Sequence, residues 1–359
     1  MLIPAEYYES IYLIVVAIIT FIVGYNYSIK DSLPLQKESP VSSIVLLIVV
    51  SLFIGLRPIS DIFIDMMSYA RQWFLWDEAR FVFSFDRTNF IFDNLRAFMA
   101  TAGIPVEWFF MLIAAIYFVS AYVACRKMFP NDTLLVFLMF LAAFSTFTYG
   151  TNGIKAGAAA SLFLVAVAYS DNLKVSIPMA IISLGFHHSM IMVVCAYIVV
   201  LLYKNRYIYF GIWLVSLFMA LTHITLFQNL FYGLADEGGQ GYLGRVAESG
   251  FRIDFVIYSA APVIVGMIAI LKRGVTSRVY TVMLNLYLLT NSVWMLCMYA
   301  SFTNRIAYLS WFLYPFVLIY PFLNEDWSPV KYKSARLVAY GHLAFTLFMT
   351  FVYYGIIKK

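Results

Sequence analysis

The sequence predicts an all-α, polytopic integral membrane protein. Hydrophobic residues make up 63% of the 359 positions and charged residues only 12%, whereas soluble domains average roughly 45–50% apolar and about 25% charged residues. The apolar residues recur in segments close to the roughly 20 residues that cross a bilayer as a helix. Phe, Tyr and Trp account for 19% of the chain, and many lie near segment ends, where aromatic rings settle at the headgroups. This composition excludes a soluble core.

Hydropathy predicts about twelve membrane spans. No repeat, heptad run or low-complexity tail accompanies them, so residues 1–359 are predicted to form a single integral membrane domain. The predicted spans lie near residues 8–27, 41–57, 106–125, 132–149, 154–170, 175–187, 189–203, 207–227, 254–271, 278–299, 306–323 and 337–357.

The basic residues predict the orientation of these spans, because clustered Lys and Arg fall in every second gap and such gaps face the cytoplasm. Glu6 and Glu9 precede the first span without a basic residue, so we expect an outside N-terminus and no cleavable signal peptide. Lys358 and Lys359 disagree, since the same topology puts them outside. The cytoplasmic cations are Lys30, Lys37, Arg126, Lys127, Lys174, Lys204, Arg206, Lys272, Arg273, Arg278, Lys331, Lys333 and Arg336.

The segment 175–203 has two interpretations, one long helix or two short helices that turn at His187, His188 and Ser189. A single crossing would place all later basic gaps outside. The positive-inside rule therefore favours the turn.

Two long loops are predicted on the outer side. The loop 57–105 interleaves aromatic and charged residues, a mixture that suits helices lying in the membrane interface. The loop 228–253 is rich in Gly, and it is either a lid over a site or a mobile connector.

Candidate site residues gather on this outer side. Asp61 and Asp65 are four positions apart, Tyr69 follows at the same spacing and Arg57 precedes them, so on a helix they share a face. A partly desolvated carboxylate near an Arg can act as a general base or hold a divalent cation. The other interpretation is that the acids pair with Arg57 and Arg71 at the interface.

His187 and His188 interrupt an apolar run at the predicted turn. Ionisable groups at membrane depth are costly and therefore functional candidates. An imidazole can take a proton, and an imidazolium can donate to phosphate. The alternative is that they are packing residues. For His223 and His342 we expect a packing or interfacial role.

Basic residues at predicted helix starts form a third group. Asn152 and Lys155 begin a span, where backbone N–H groups and the helix dipole favour an anion. Arg305 lies in the same setting. With Arg57, Arg245 and Arg252 these cations could clamp a pyrophosphate, or each could lie among lipid headgroups. The Ala and Gly run after Lys155 is expected to be packing.

Other chemistries find no support in the sequence. It contains no P-loop, GxGxxG, HExxH or GxSxG motif. The net charge of +5 is scattered through short loops, which does not indicate nucleic-acid binding. Cys125, Cys195 and Cys297 form no CxxC pair.

Three short motifs resemble the EpsG family of Wzy-like bacterial polysaccharide polymerases. The first is an Arg after the second span with an Asp and a Tyr four apart; the second is an Asn-x-x-Arg-Gln helix start; the third is Phe-His-x-Ser. Lys155 replaces the usual Arg and Ala156 the usual Gln. The matching residues are Arg57, Asp65 and Tyr69, then Asn152, Gly153, Ile154 and Lys155, then Phe186, His187, His188 and Ser189.

The resemblance implies a GT-C-like helical fold in the bacterial inner membrane and glycosyl transfer for capsule, exopolysaccharide or O-antigen synthesis. Donor and acceptor would be undecaprenyl-pyrophosphate-linked oligosaccharides, with a flippase and a chain-length regulator as partners and membrane lipids as surroundings. No cofactor is implied, and a divalent cation at Asp61 and Asp65 is not required. Asp65 or His187 would be the base, with inversion at the anomeric carbon.

Two other functions remain open at this point. A flippase or exporter of the same lipid-linked sugar also needs many spans, but transporters usually carry midplane charges and related halves. A membrane O-acyltransferase could use the paired histidines, yet its acyl donor usually comes from the cytosol. The predicted outer position of His187 argues against that function.

Overall fold

The structure, a computed structural model, describes residues 3–30, 39–75, 80–228, 250–275, 277–300, 303–324 and 330–357. Over these ranges all the regular elements are helices, so the prediction of an all-α protein is confirmed. The chain divides into two compact units, Met1–Met190 with Phe322–Lys359, and Ile191–Pro321. Each unit is described by itself.

The first unit contains most of the candidate site residues. Helix α8 packs against both α5 and α9, α2 packs against α5, and α1 packs against α16. Its helices are α1 (Tyr8–Lys30), α2 (Pro40–Gly55), α3 (Ile64–Phe74), α4 (Phe90–Thr101), α5 (Val106–Met128), α6 (Thr133–Leu141), α7 (Thr146–Thr151), α8 (Ile154–Ala168), α9 (Leu173–Phe186) and α16 (Lys331–Leu347), which a π-helical segment, Phe348–Ile357, continues.

The second unit is built around α13, which packs against α11 and α14. The border between the units falls inside α10 and α15. The helices are α10 (Met190–Leu202), α11 (Arg206–Leu221), α12 (Ile253–Arg273), α13 (Arg278–Leu296), α14 (Thr303–Trp311) and α15 (Tyr314–Asn324). A polar network holds its core together, because Asn291 accepts from Trp213 and donates to Ser259 and Ser310.

Every predicted span coincides with a helix or with a pair of consecutive helices. In the described part of the chain, six helical segments are long and apolar enough to cross a membrane, and five further apolar helices are shorter. The protein is a multi-pass membrane protein. Helices α3 and α4 of the loop 57–105 also form as predicted, and their location at the outer membrane interface stays a prediction.

Two predicted spans, 132–149 and 306–323, are each divided between two helices. In the first, which is wrong as a continuous helix, the helix stops at Leu141 and restarts at Thr146. The carbonyl groups freed by this break have partners. Thr146 Oγ1 donates to the Phe140 carbonyl over 2.6 Å, and Tyr12 Oη donates to the Leu141 carbonyl over 2.7 Å. In an apolar environment backbone carbonyls need hydrogen-bond partners. Here side-chain hydroxyls supply hydrogen bonds that a continuous helix would have supplied from its backbone N–H groups.

The interruption predicted at the histidines is confirmed. Helix α9 ends at Phe186, His187 is extended with φ −149° and ψ 120°, and α10 begins at Met190. A single long helix over 175–203 is therefore excluded.

Candidate active site

Arg57 lies two residues beyond the end of α2 and is only 2% exposed. Its Nη1 donates to the Ile54 carbonyl over 2.7 Å and its Nη2 to the Thr151 carbonyl over 2.8 Å. The guanidinium carbon lies 5.4 Å from the ring centre of Phe63 and 5.5 Å from that of Phe110. Arg57 therefore joins the C-terminal ends of α2 and α7 and is enclosed by aromatic rings.

The charge of Arg57 suits this position, because helix C-termini carry partial negative charge. An arginine side chain is not deprotonated in proteins, so Arg57 is a cation at neutral pH. None of the described carboxylates is paired with it. Two of its five N–H groups donate to backbone carbonyls, and its buried Nε has no hydrogen-bond partner among the described residues. Direct contact with a pyrophosphate stays a prediction.

The sequence pattern suggested that Asp61 and Asp65 share a helix face, but in the structure they do not. A turn closed by a hydrogen bond from Phe63 N to the Ser60 carbonyl precedes α3, which begins at Ile64. Asp61 lies in this turn and is exposed, whereas Asp65 lies in the first turn of α3. The acidic pair is thus divided between a turn and a helix, which corrects that expectation.

Tyr69, one turn after Asp65, connects α3 to α4. Its ring centre lies 5.6 Å from that of Phe92, and the guanidinium carbon of Arg96 lies 5.9 Å from the Tyr69 ring. Arg96 also donates to Gln72 of α3. Helices α3 and α4 therefore pack with Arg96 across their contact.

Lys155, in the first turn of α8, meets the same helices. Its ammonium lies 5.7 Å from the centre of the Phe92 ring, a distance at which a cation is attracted to the aromatic face. Asp93, Arg96 and Asp65 all act on it electrostatically. Helices α3, α4 and α8 thus bring two cations and two carboxylates together, which we call the charged cluster: Asp65, Asp93, Arg96 and Lys155.

The start of α8 is tightly packed. A Cβ on Gly157 would lie 2.8 Å from the carbonyl oxygen of Tyr149, so the expected packing role of the small residues is supported at this position. Asn152 precedes the helix, and its buried Oδ1 has no hydrogen-bond partner among the described residues.

The histidine turn, residues 187–189, is attached to the N-terminal end of α4. The backbone N–H of His188 donates to Asn89 Oδ1 over 2.9 Å. The Asn89 backbone N–H and Nδ2 both approach Asp93 Oδ2, at 3.2 Å and 3.4 Å. Asn89 therefore links the turn to a carboxylate of the charged cluster.

The sequence pattern of the EpsG family matches residues 41–358, which cover most of the chain and all the helices of the site. The chain belongs to the EpsG family. This is a Wzy-like polysaccharide polymerase family, so the membership indicates a polysaccharide polymerase role. No curated protein and no solved structure matches the chain.

Sequence reasoning missed four residues that this EpsG-family protein places around Lys155. All lie at or in α4: Asn89, Phe92, Asp93 and Arg96. The signal was present in their spacing of three or four residues, which puts them on neighbouring positions of one helix side. This spacing did not stand out, because aromatic and charged residues are interleaved along the whole loop 57–105.

Three predicted pyrophosphate ligands are not part of the first unit. Arg252 makes a two-point salt bridge with Asp254, at 2.9 Å and 2.7 Å, and lies 3.5 Å from the Phe255 ring centre. Arg305 is exposed in the first turn of α14. Arg245 and most of the Gly-rich loop 228–253 lie outside the described residues. Their convergence on the site stays a prediction.

Proposed function

We propose that this EpsG-family protein joins oligosaccharide repeat units carried on polyprenyl pyrophosphate at the outer face of the bacterial cytoplasmic membrane. The observation that supports the proposal is the charged cluster, which combines carboxylates with cations beside the histidine turn. Glycosyl transfer from a pyrophosphate needs these two kinds of group. A base must take a proton from the acceptor, and cations must stabilise the leaving group.

The proposed reaction is a single displacement at the anomeric carbon. An acceptor hydroxyl attacks that carbon and loses its proton to a base, either Asp65 or His187. The bond between the carbon and the pyrophosphate oxygen breaks, and its electron pair leaves with the oxygen. Because attack and departure are on opposite sides, the anomeric configuration inverts.

The leaving group would be bound by Lys155 together with Arg96. Two cations near one another can neutralise pyrophosphate, and the fork of Arg96 suits two-point contact with phosphate oxygens. Asn152, Tyr69 and Arg57 border this region and stay candidates for substrate contact, as do Arg245, Arg252 and Arg305.

The proposal places the enzyme in a sequence of membrane reactions. The donor and acceptor would be undecaprenyl-pyrophosphate-linked units for capsule, exopolysaccharide or O-antigen. A flippase would deliver them, and a chain-length regulator could limit the product. The surrounding lipids would admit both polyprenyl tails sideways between helices.

Incubation of the purified protein with lipid-linked repeat units tests the proposal. We expect a ladder of products on a gel, and Asp65→Asn should lower the rate by about 10²–10⁴-fold, the usual contribution of a general acid or base. Asp86→Asn is the matched control, because Asp86 is an exposed loop carboxylate outside the charged cluster. A normal ladder from the Asp65 variant would refute the assignment. Translocation of the lipid-linked unit without a ladder would instead indicate a flippase.

The outer location is tested by labelling. His188 is exposed in the histidine turn, so a cysteine at this position should react with a membrane-impermeant thiol reagent in intact spheroplasts. Cys195 is exposed and has to be replaced first, whereas Cys125 and Cys297 are buried. Labelling only after the membrane is opened would place the turn on the cytoplasmic side.

A further inference from the structure

The hydrogen bonds of the His187 ring are set by the residue two positions later. The backbone N–H of Ser189 donates to His187 Nδ1 over 3.1 Å, and Ser189 Oγ lies 2.7 Å from the same nitrogen. A backbone N–H can only donate, so Nδ1 is an acceptor and carries no hydrogen. In the neutral ring the hydrogen is then on Nε2.

We propose that His187 takes part in glycosyl transfer as a hydrogen-bond donor through Nε2, and that Asp65 is the general base. The inference rests on the proposed function and decides between its two candidate bases. A neutral imidazole with hydrogen on Nε2 has its available lone pair on Nδ1, which Ser189 already occupies. An ionised carboxylate such as Asp65 has only acceptor sites.

The local fold maintains this tautomer. The Met190 N–H donates to the His187 carbonyl over 3.0 Å and closes the turn. Asn89 holds the His188 N–H at 2.9 Å. The Ser189 N–H, which precedes α10 and has no acceptor within that helix, is directed at the His187 ring. Ser189 is a positioning residue, because it acts on the reaction only through His187.

The division of roles balances the reaction. The acceptor O–H proton passes to the Asp65 carboxylate as the new bond to the anomeric carbon forms. The departing phosphate oxygen takes the electron pair of the broken bond, and the Nε2–H of His187 donates to that oxygen as its negative charge grows. The Nε2 hydrogen stays on the ring, so no second proton source is needed.

Substitution of His187 by two amides and by Ala tests the donor role. The longer Gln side chain can present an N–H near the position of Nε2, but an amide cannot accept the acceptor's proton. We expect His187→Ala to lower the initial polymerisation rate by about 10²-fold, with His187→Asn similar because its amide is shorter. His187→Gln should remain within about tenfold of the unsubstituted protein, since it keeps the hydrogen bond. A Gln variant as inactive as the Ala variant would overturn the donor role.

The pH profile gives a second readout. If Asp65 is the base, the acid limb of kcat/KM reports its carboxylate and is retained in His187→Gln. Loss of that limb in the Gln variant would assign the proton transfer to His187. His223→Asn is the control for the substitution itself. His223 lies in the second unit with φ 58°, a backbone conformation that Asn tolerates.

The proposed function and this inference fail in different ways. If the unsubstituted protein makes no ladder, or if Asp65→Asn and His187→Ala both keep its full rate, the function or the site is wrong. If His187→Ala is slow and His187→Gln equally slow while the ladder itself is present, only the donor role is wrong. Circular dichroism and a thermal melt of each variant exclude misfolding as the cause.

Discussion

Replacement of Arg57 gives the most direct test of how the site is held. Arg57→Ala removes two hydrogen bonds from a charged donor, at 2.7 Å and 2.8 Å, each worth about 1.5–3 kcal/mol. It also removes cation–π contacts with two rings, worth about 0.5–1 kcal/mol each. Relief of the buried charge offsets part of this sum. We therefore expect a net loss of about 3–5 kcal/mol in the free energy of unfolding from these contacts.

The assay is unfolding of the purified protein by SDS in mixed micelles, followed by tryptophan fluorescence. Arg71→Ala is the matched control, because Arg71 is exposed on α3 and such surface substitutions usually change stability by no more than about 0.5 kcal/mol. Arg57→Lys should fall between the two, since an ammonium can donate to the carbonyls but lacks the planar fork.

Equal stability of the Arg57→Ala and Arg71→Ala variants would refute the structural role. A variant with unchanged stability and a raised KM for the lipid-linked donor would instead support direct contact with pyrophosphate.

Two further predictions concern the packing of the site. Gly157→Ala should lower the free energy of unfolding by about 1–3 kcal/mol, the usual effect of overpacking, because the new Cβ would lie 2.8 Å from the Tyr149 carbonyl oxygen. Gly341→Ala, where no atom lies within 4 Å, should be neutral or stabilising in the same melt, and an equal loss in both would contradict the packing argument. Asn89→Ala should cost about 1–3 kcal/mol because it leaves the His188 N–H without its acceptor. An unchanged melting temperature with full polymerisation would show that this link is dispensable.

The helices could be predicted from local sequence because the residues that start and stabilise each helix lie within it or next to it. Helix α2 begins at Pro40, where proline is favoured, and Ser39 caps it by accepting from the Val41 N–H. Asn172 and Asn205 cap α9 and α11 in the same way. Hydropathy located most spans within a few residues, and the interrupted span 132–149 is an exception.

The errors came from interactions between distant parts of the chain. At the break after Leu141, the freed carbonyl accepts from the hydroxyl of Tyr12, 129 residues earlier, and no sequence window around Leu141 contains that residue. The burial of Arg57 depends on the carbonyl of Thr151, 94 residues later. Sequence spacing made Arg57 a candidate ligand. It could not reveal that the carbonyls of Ile54 and Thr151 accept hydrogen bonds from its guanidinium.

The candidate site was predicted in part for the same reason. Asp65, Lys155 and the histidine turn were singled out by their unusual polarity in apolar surroundings. Their common neighbour α4 was not, since its Asn89 contacts His188 at a separation of 99 residues. Polarity identifies which residues need an explanation, whereas the pairing between them is a property of the fold.

Arg57 and Asn89 fasten parts of the site by different chemistry, and the difference predicts which substitutions each tolerates. Arg57 meets only acceptors, the carbonyls of Ile54 and Thr151, so any donor of the right length keeps part of its role. Asn89 accepts from the His188 N–H and donates to the Asp93 carboxylate, and an amide can do both with one side chain. Asn89→Asp would keep the acceptor but set a second negative charge against Asp93. The Asn89→Asp variant should therefore disturb the site as much as Asn89→Ala, although Asn and Asp are nearly equal in shape.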